Sequence, residues 1–280
     1  MQTLRLQTPP ITGEDVAAWQ RFLTAQGAAN LAIDGVFGPA SDAATREYQA
    51  SHGLEADGVV GMGTWAQAVR DGFAGSGTAG MDACVDCAPF ASGIVAAGMK
   101  FVGRYYSRFA GKALTRTEAL ALSRAGLQLA TVYQDVNDDI RYFSAEQGRQ
   151  QAARALAEAA AVGQPAGSAI YFATDFDPTP DQIAGPMTDY FQAVAQALSA
   201  AATRYAVGIY GSGLACRTLR DAGLARFTWL SGSMGYRESA SFRGEANLVQ
   251  IAPSRTILEG RLAIDDDVAP GGEFGGFQVH

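Results

Sequence analysis

The chain has 280 residues, 48% of them hydrophobic, with 28 acidic against 21 basic side chains and a net charge of −7. That balance excludes sequence-independent nucleic-acid binding, which runs on Lys and Arg, and docking on anionic lipid surfaces. No run reaches the roughly 18 apolar residues of a membrane helix, so no membrane insertion is expected, and the length suits one large domain with a small one.

In chain order, the opening stretch MQTLRLQTPPITGEDV has neither an apolar h-region nor a small-residue cleavage site. No classical signal peptide is expected, and the export route stays open. Val16, Trp19, Phe22 and Leu23 then recur at helical spacing. Ala32-Ile33-Asp34-Gly35-Val36-Phe37-Gly38-Pro39 is echoed by Ala56-Asp57-Gly58-Val59-Val60-Gly61, with the Asp and Gly positions 23 residues apart. D-G-x-x-G is a turn signal, because Asp bonds its local backbone and Gly takes positive φ. An amphipathic helix follows each turn, over 41–50 and 64–69, with Pro39 near the first start. A compact helical module is expected over residues 1–71, close to the lower size limit for an independent fold. Trp19, Phe22, Phe37, Tyr48 and Trp65 are expected in its core. Residues 72–80, rich in Gly, Ser and Thr, read as a flexible linker.

From residue 81 to 280, strand-like and helix-like segments alternate. Strands are expected near 80–83 and over 101–105, 127–133, 169–174, 206–210, 228–230, 248–251 and 262–264. Helices are expected over 117–124, 144–162, 181–201 and 214–222. Such alternation implies parallel strands with crossover helices, and eight strands favour an α/β TIM-type (β/α)8 barrel over an open sheet. No G-x-G-x-x-G follows the first strand, which argues against a dinucleotide fold.

In such barrels chemistry sits at the carboxyl ends of the strands. Those ends carry Asp82; Arg104, Tyr105 and Tyr106; Gln134 and Asp135; Asp175 and Asp177; Tyr210; Trp229; Gln250; and Asp265 with Asp267. Acids and aromatics of this kind suit a carbohydrate cleft. The run IYFATDFD, residues 170–177, is the most informative. Residues i and i+2 of a strand share a face, so Asp175 and Asp177 are expected side by side, their pKa values pushed apart as glycoside hydrolysis needs. A helix N-cap before Pro178 is the alternative for Asp177, and a structural ion pair is the alternative for Arg104. Cys84-Val85-Asp86-Cys87 has CxxC spacing, but Cys216, His52 and His280 do not complete a four-ligand zinc set. Packed thiols or one disulfide are expected, with no metal and no cofactor.

VAAWQRFLTAQG followed by AIDGVFGPASDAATREYQASHGLEADGVVGMGTWAQ resembles the peptidoglycan-binding-domain family over residues 13–71. Residues 80–268 resemble the family-25 glycoside hydrolases, the lysozyme-like muramidases of phages and bacteria, and more closely the related glycoside-hydrolase-like domains. The resemblance rests on Gly80-Met81-Asp82, YFATDFD, VGIYGSG at 207–213, Trp229-Leu230, Gln250 and Ile264-Asp265-Asp266-Asp267. It implies an N-acetylmuramidase cleaving the β-1,4 bond between N-acetylmuramic acid and N-acetylglucosamine. Bacterial peptidoglycan would be its partner, and a monomer would act on the cell wall, in the periplasm or outside the cell. Asp82, Asp175, Asp177 and Asp265 are the implied catalytic set, with Arg104, Tyr106, Gln134, Tyr210, Trp229, Gln250 and Asp267 as substrate contacts. Family 25 carries Asp-x-Glu on strand four, its Glu being the general acid, where this chain has Asp177. Asp is shorter by roughly 1.5 Å of reach, and a misplacement of about 1 Å costs on the order of a hundredfold in rate. A glycan-binding barrel that does not cut is therefore the second reading, and Asp177→Glu separates the two. A third, an amidase or peptidase acting on the peptide stems, needs a metal or a Cys/His pair, which the scarcity of histidine opposes.

Overall fold

The structure, a computed structural model, describes residues 3–71, 73, 77–233 and 235–280, and the chain separates into two units, Met1–Thr78 and Ala79–His280. The first unit holds helices α1 (Glu14–Ala25), α2 (Pro39–Ser51) and α3 (Met62–Arg70). Two buried glutamines explain its internal repeat. Gln20 Nε2 donates to Asp34 Oδ1 (2.8 Å), Val36 O (3.1 Å) and Ser41 Oγ (3.1 Å), while its Oε1 accepts the Gly35 N–H (2.9 Å). Gln49 makes the same circuit with Asp57 Oδ1 (2.9 Å), Val59 O (3.0 Å), Thr64 Oγ1 (2.9 Å) and the Gly58 N–H (2.9 Å). Each Asp also accepts the backbone N–H two residues on, from Val36 and Val59. Gly35 and Gly58 sit at φ 68° and 69°, where a side chain is disfavoured.

Trp19, Phe22, Phe37, Tyr48 and Trp65 are buried in this unit. Trp19 stacks on Phe22 (centroids 5.3 Å apart) and meets Trp65 edge-on (5.0 Å). Phe73 packs into the same cluster, against Trp19, Phe22 and Trp65. The expected linker of 72–80 is therefore shorter at both ends: Phe73 is core and Thr78 already begins a strand. Residues 72 and 74–76 lie outside the described residues.

The second unit is a closed eight-stranded barrel in sequence order: β1 (Thr78–Asp82), β2 (Phe101–Tyr106), β3 (Gln128–Tyr133), β4 (Ala169–Ala173), β5 (Ala206–Gly211), β6 (Phe227–Leu230), β7 (Leu248–Ile257) and β8 (Leu262–Ala269). Helices α4 (Ala91–Ala96), α5 (Arg116–Arg124), α6 (Ala145–Val162), α7 (Pro180–Gln182), α8 (Thr188–Ala200), α9 (Gly213–Asp221) and α10 (Ser239–Phe242) lie between the strands in sequence. Thr115, Ser144, Thr179 and Ser212 cap α5, α6, α7 and α9 with side-chain oxygens. Strands β1 to β7 pair in parallel, but β7 and β8 are antiparallel, which corrects the all-parallel expectation. A parallel return needs a crossover of a dozen or so residues. Here only residues 258–261 intervene, and Leu258, Glu259 and Gly260 reverse the chain at positive φ (55°, 61° and 80°).

Alternate residues of the strands fill the lumen. Phe101, Ala130, Val132, Ala169, Tyr171, Ala173, Phe227, Trp229, Leu248 and Ala269 form one buried cluster, and Phe274 of the C-terminal tail joins it. The tail is pinned to the lower end of β4, where the Ala169 N–H donates to Gly275 O and Tyr171 Oη to Phe274 O, both at 2.8 Å. Large rings need bare neighbours: a Cβ on Gly103 would lie 2.5 Å from the Trp229 ring, and one on Gly208 2.5 Å from the Tyr171 ring. Among the described residues no helix is long and apolar enough to cross a membrane.

Replacing Gln49 by Leu leaves the Gly58 N–H and the Asp57 carboxylate without their partner, and is expected to cost the first unit about 1–3 kcal/mol. Urea unfolding followed by tryptophan fluorescence reads this through Trp19 and Trp65; an unchanged midpoint would show that the glutamine circuit does not hold the turns.

Candidate active site

At the upper end of the lumen the filling turns polar. Asp82 on β1, Tyr105 on β2, Tyr210 on β5, Trp229 on β6, Gln250 on β7 and Asp265 on β8 surround a cavity of about 220 Å³, together with Val132, Gln134 just beyond β3 and Asp175 just beyond β4. Pockets for drug-sized ligands run to about 300–1,000 Å³, so this one has room for a compact group only.

Gln250 ties the acids together. Its Nε2 donates to Asp82 Oδ2 (2.7 Å) and Asp265 Oδ2 (3.2 Å), and its Oε1 accepts from Tyr210 Oη (2.9 Å) and the Gly232 N–H (3.0 Å). A backbone N–H only donates, so the amide has one orientation, with its NH2 facing the carboxylates. Tyr105 Oη donates to Asp82 Oδ1 at 2.8 Å. A second chain starts at Lys112, whose Nζ donates to Gln134 Oε1 (2.9 Å); Gln134 Nε2 then donates to Asp175 Oδ2 (3.0 Å). The same ammonium lies 4.1 Å from the centre of the Tyr105 ring.

Of the residues expected from the sequence, Asp82, Asp175, Asp265, Gln134, Tyr210, Trp229 and Gln250 meet in this cavity, and four do not. Arg104 and Tyr106 alternate with Tyr105 and so face away from the lumen. Arg104 is wholly buried, its Nε donating to Glu118 Oε1 at 2.6 Å, and Tyr106 Oη donates to Gln164 Oε1 at 2.6 Å. Asp267 sits one layer too deep. On an antiparallel β8 later residues go down into the barrel, so Asp265 reaches the cavity and Asp267 lies beneath it, fully buried. Asp177 is not beside Asp175, because β4 ends at Ala173 and the two-residue alternation ends with it. Instead Asp177 Oδ1 accepts the Arg237 N–H (2.9 Å) and its Oδ2 the Arg237 guanidinium (2.6 Å). Nor does Asp177 cap the next helix, since Thr179 does so in a reciprocal box with Gln182. Tyr105 and Lys112 enter the site instead. Strand alternation from Gly103 identifies Tyr105, whereas Lys112 sits in the loop after β2, where no periodicity marks it.

The acids differ in their surroundings. Burial, and then the charge of Asp265, pushes the Asp82 carboxyl up to about 6, against hydrogen bonds from Gln250, Tyr105 and the Asp267 carboxyl. Burial and the neighbouring Asp82 hold Asp267 well above the usual carboxylate range. Asp267 Oδ1 accepts the Trp229 indole N–H at 2.8 Å, while its buried Oδ2 has no hydrogen-bond partner among the described residues. Asp175 is also raised by burial, opposed by Gln134 and by the Lys112 ammonium. All three cysteines are free thiols, Cys84 exposed and Cys87 and Cys216 buried, the latter two pushed by burial to about 12. Among the described residues no group of three or more His, Cys, Asp or Glu side chains is arranged to hold a metal ion.

An eight-stranded barrel with an acid-lined mouth is a glycoside-hydrolase-like architecture. Residues 92–269 match the family model of the Rv2525c-like, glycoside hydrolase-like domain, and the chain belongs to that family. Residues 12–67 match a peptidoglycan binding domain. FadG of Bacillus subtilis is 25% identical over 253 residues, 86% of this chain and 44% of FadG. YbfG of the same organism is 30% identical over 161 residues, 50% of this chain and 22% of YbfG. The chain thus spans less than half the length of either relative. The crystal structure of the Mycobacterium tuberculosis Tat-secreted protein Rv2525c in complex with L-tartrate superposes with a TM-score of 0.58 at 25% identity, covering 71% of this chain and 98% of that one.

Two outcomes follow from these environments. A carboxyl whose folded pKa is raised binds its proton more tightly folded than unfolded, so its contribution to stability is greatest below about pH 4 and is lost as pH rises through about 6. For Asp82, a rise from 3.8 to about 6 corresponds to about 3 kcal/mol. Asp267→Asn keeps an acceptor for Trp229 and removes the buried ionisable group, and is expected to raise the melting temperature increasingly as pH rises above about 4. Melting curves parallel to the parent's at every pH would contradict this. Arg104→Ala strands the buried Glu118 and is expected to cost about 3–5 kcal/mol; a loss below about 1 kcal/mol in chemical denaturation, the range of an exposed pair, would show that the pair is not structural.

Proposed function

We propose that this protein hydrolyses the glycan strands of bacterial peptidoglycan, as an N-acetylmuramidase acting on the β-1,4 bond between N-acetylmuramic acid and N-acetylglucosamine. The observation that carries the reading is a pair of carboxyls, Asp82 and Asp175, facing one cavity from strands β1 and β4 in different electrostatic settings. Glycoside hydrolysis uses two carboxyls in that way, one holding a proton and one ionised. Asp82, with its pKa near the working range of a general acid, protonates the leaving oxygen. Tyr105 and Gln250 hold its rotation, and Asp265 sustains its proton affinity. Asp175, where Gln134 and the Lys112 ammonium oppose the rise from burial, takes the carboxylate role and either stabilises the oxocarbenium-like charge or orients the 2-acetamido group. Tyr210 borders the space for the sugar, with Trp229 as its floor. The peptidoglycan binding domain in residues 12–67 supports the wall as the partner, and the Tat-secreted relative supports action outside the cytoplasm.

One observation favours a second reading. Asp177, at the position where the family-25 muramidases carry their acid, is held by Arg237 away from the cavity. A barrel without that acid would bind glycan at its mouth and leave it intact.

Mass spectrometry of purified peptidoglycan after incubation separates the two. New muramic-acid reducing ends are expected from the parent, with the rate reduced on the order of 100-fold or more in Asp82→Asn and in Asp175→Asn, and unchanged in Asp177→Glu. Intact strands with the protein co-sedimenting on the wall would establish the binder.

A further inference from the structure

A second cavity, also of about 220 Å³, opens on the other side of the chain that continues β3, lined among others by Arg108, Asp135, Asn137, Tyr142, Gln147 and Arg154. Consecutive residues divide the two spaces: Gln134 lines the mouth and Asp135 lines the second cavity. The same wall is tied to the catalytic side of the barrel, since the Asp175 N–H donates to Asn137 O at 2.9 Å. A ligand held at Asp175 therefore has this cavity next to it.

Its donors outnumber its acceptors. Arg108 and Arg154 converge on Asp135 Oδ2, at 3.8 and 3.4 Å. That oxygen already accepts a shorter bond from Tyr133 Oη (2.7 Å), and Oδ1 is taken by Ser107 Oγ (3.1 Å) and the Arg108 N–H (2.9 Å). One saturated carboxylate thus faces two guanidiniums whose side chains are 55% and 52% exposed. Each guanidinium has five N–H donors in a fixed fork, so most remain for a ligand. Glu158 also lies near Arg154, but its carboxylate accepts the Ser107 N–H at 2.9 Å and does not line the cavity. The lining is cationic and rich in amides, which suits a planar carboxylate held by paired N–H groups.

We propose that this cavity is a subsite for a short, carboxylate-bearing peptide attached to the glycan that occupies the mouth. The inference rests on the glycan reading of the mouth, and the test keeps the two apart. Calorimetry compares three probes on the full chain: a disaccharide–peptide fragment of the wall with its acidic stem, the same disaccharide without the stem, and the free acidic peptide. Each is titrated into the parent and into Arg108→Ala/Arg154→Ala, with Arg108→Lys/Arg154→Lys as a variant that keeps charge but loses the fork. The stem is expected to tighten binding to the parent about tenfold or more, the scale of one charge-assisted hydrogen-bonded pair. That gain disappears in the Ala variant, is reduced in the Lys variant and weakens with added salt, while the bare disaccharide binds all three alike. A gain that persists in the Ala variant, or no gain in the parent, overturns the subsite. If the free peptide binds in an arginine-dependent way but the bare disaccharide shows no binding, the subsite stands and the glycan reading of the mouth falls.

Discussion

Closing eight strands into a ring imposes a constraint from which the rest of the barrel follows: every second residue of every strand shares one narrow lumen. The lower layers can be filled only where large and bare positions oppose each other, so Trp229 faces Gly103 and Tyr171 faces Gly208. Phe274, brought in by the tail, joins this filling from the strands' starting end. Only the inward positions at the upper end of the lumen are free of packing duty, and there the residues become Asp82, Tyr105, Tyr210, Gln250 and Asp265. The site is thus what remains when the core has been built.

Placing acids on top of an apolar plug has electrostatic consequences. The layer holds several carboxyls within reach of one ammonium, Lys112, and their mutual repulsion is met by neutral donors rather than by salt bridges. Gln250 bridges two carboxylates without supplying charge, and its hydrogen bond only partly opposes the rise that burial gives Asp82. The strong cation of the neighbourhood, Arg104, is spent outside the ring on Glu118. A guanidinium inside the mouth would have favoured the ionised form of Asp82 and opposed the acid role proposed for it.

Much of this was legible in the sequence because it depends on short-range periodicity. The strand and helix positions, the two D-G-x-x-G turns and the acids at strand ends are all carried by patterns a few residues long. What was not legible depends on where an alternation starts or stops. Arg104, Tyr105 and Tyr106 were all placed at the end of β2, with Arg104 and Tyr106 taken as the contacts, because the phase of β2 is set by which residue meets Trp229 across the ring. Asp177 fell outside once β4 stopped at Ala173, and Asp267 sank one layer because a four-residue turn reversed β8. Lys112 came from a loop with no pattern at all. In the first unit the turns were readable, whereas Gln20 and Gln49, which hold them, lie 14 and 8 residues from Asp34 and Asp57 and carry no local signal.

The central claim is that the polar layer above Trp229 is where this protein meets its glycan. The chain has three tryptophans, so the indole N–H region of a nitrogen–proton correlation spectrum holds three side-chain signals, and that of Trp229 reports directly on the site through its bond to Asp267. Titration with soluble, uncrosslinked peptidoglycan fragments is the most direct measurement. The account predicts that the Trp229 indole signal shifts in a saturable manner and that the shift is lost in Asp175→Asn. A Trp229 signal that stays fixed while Trp19 or Trp65 shifts would mean that the wall is held by the first unit alone and that the barrel mouth is not a glycan site.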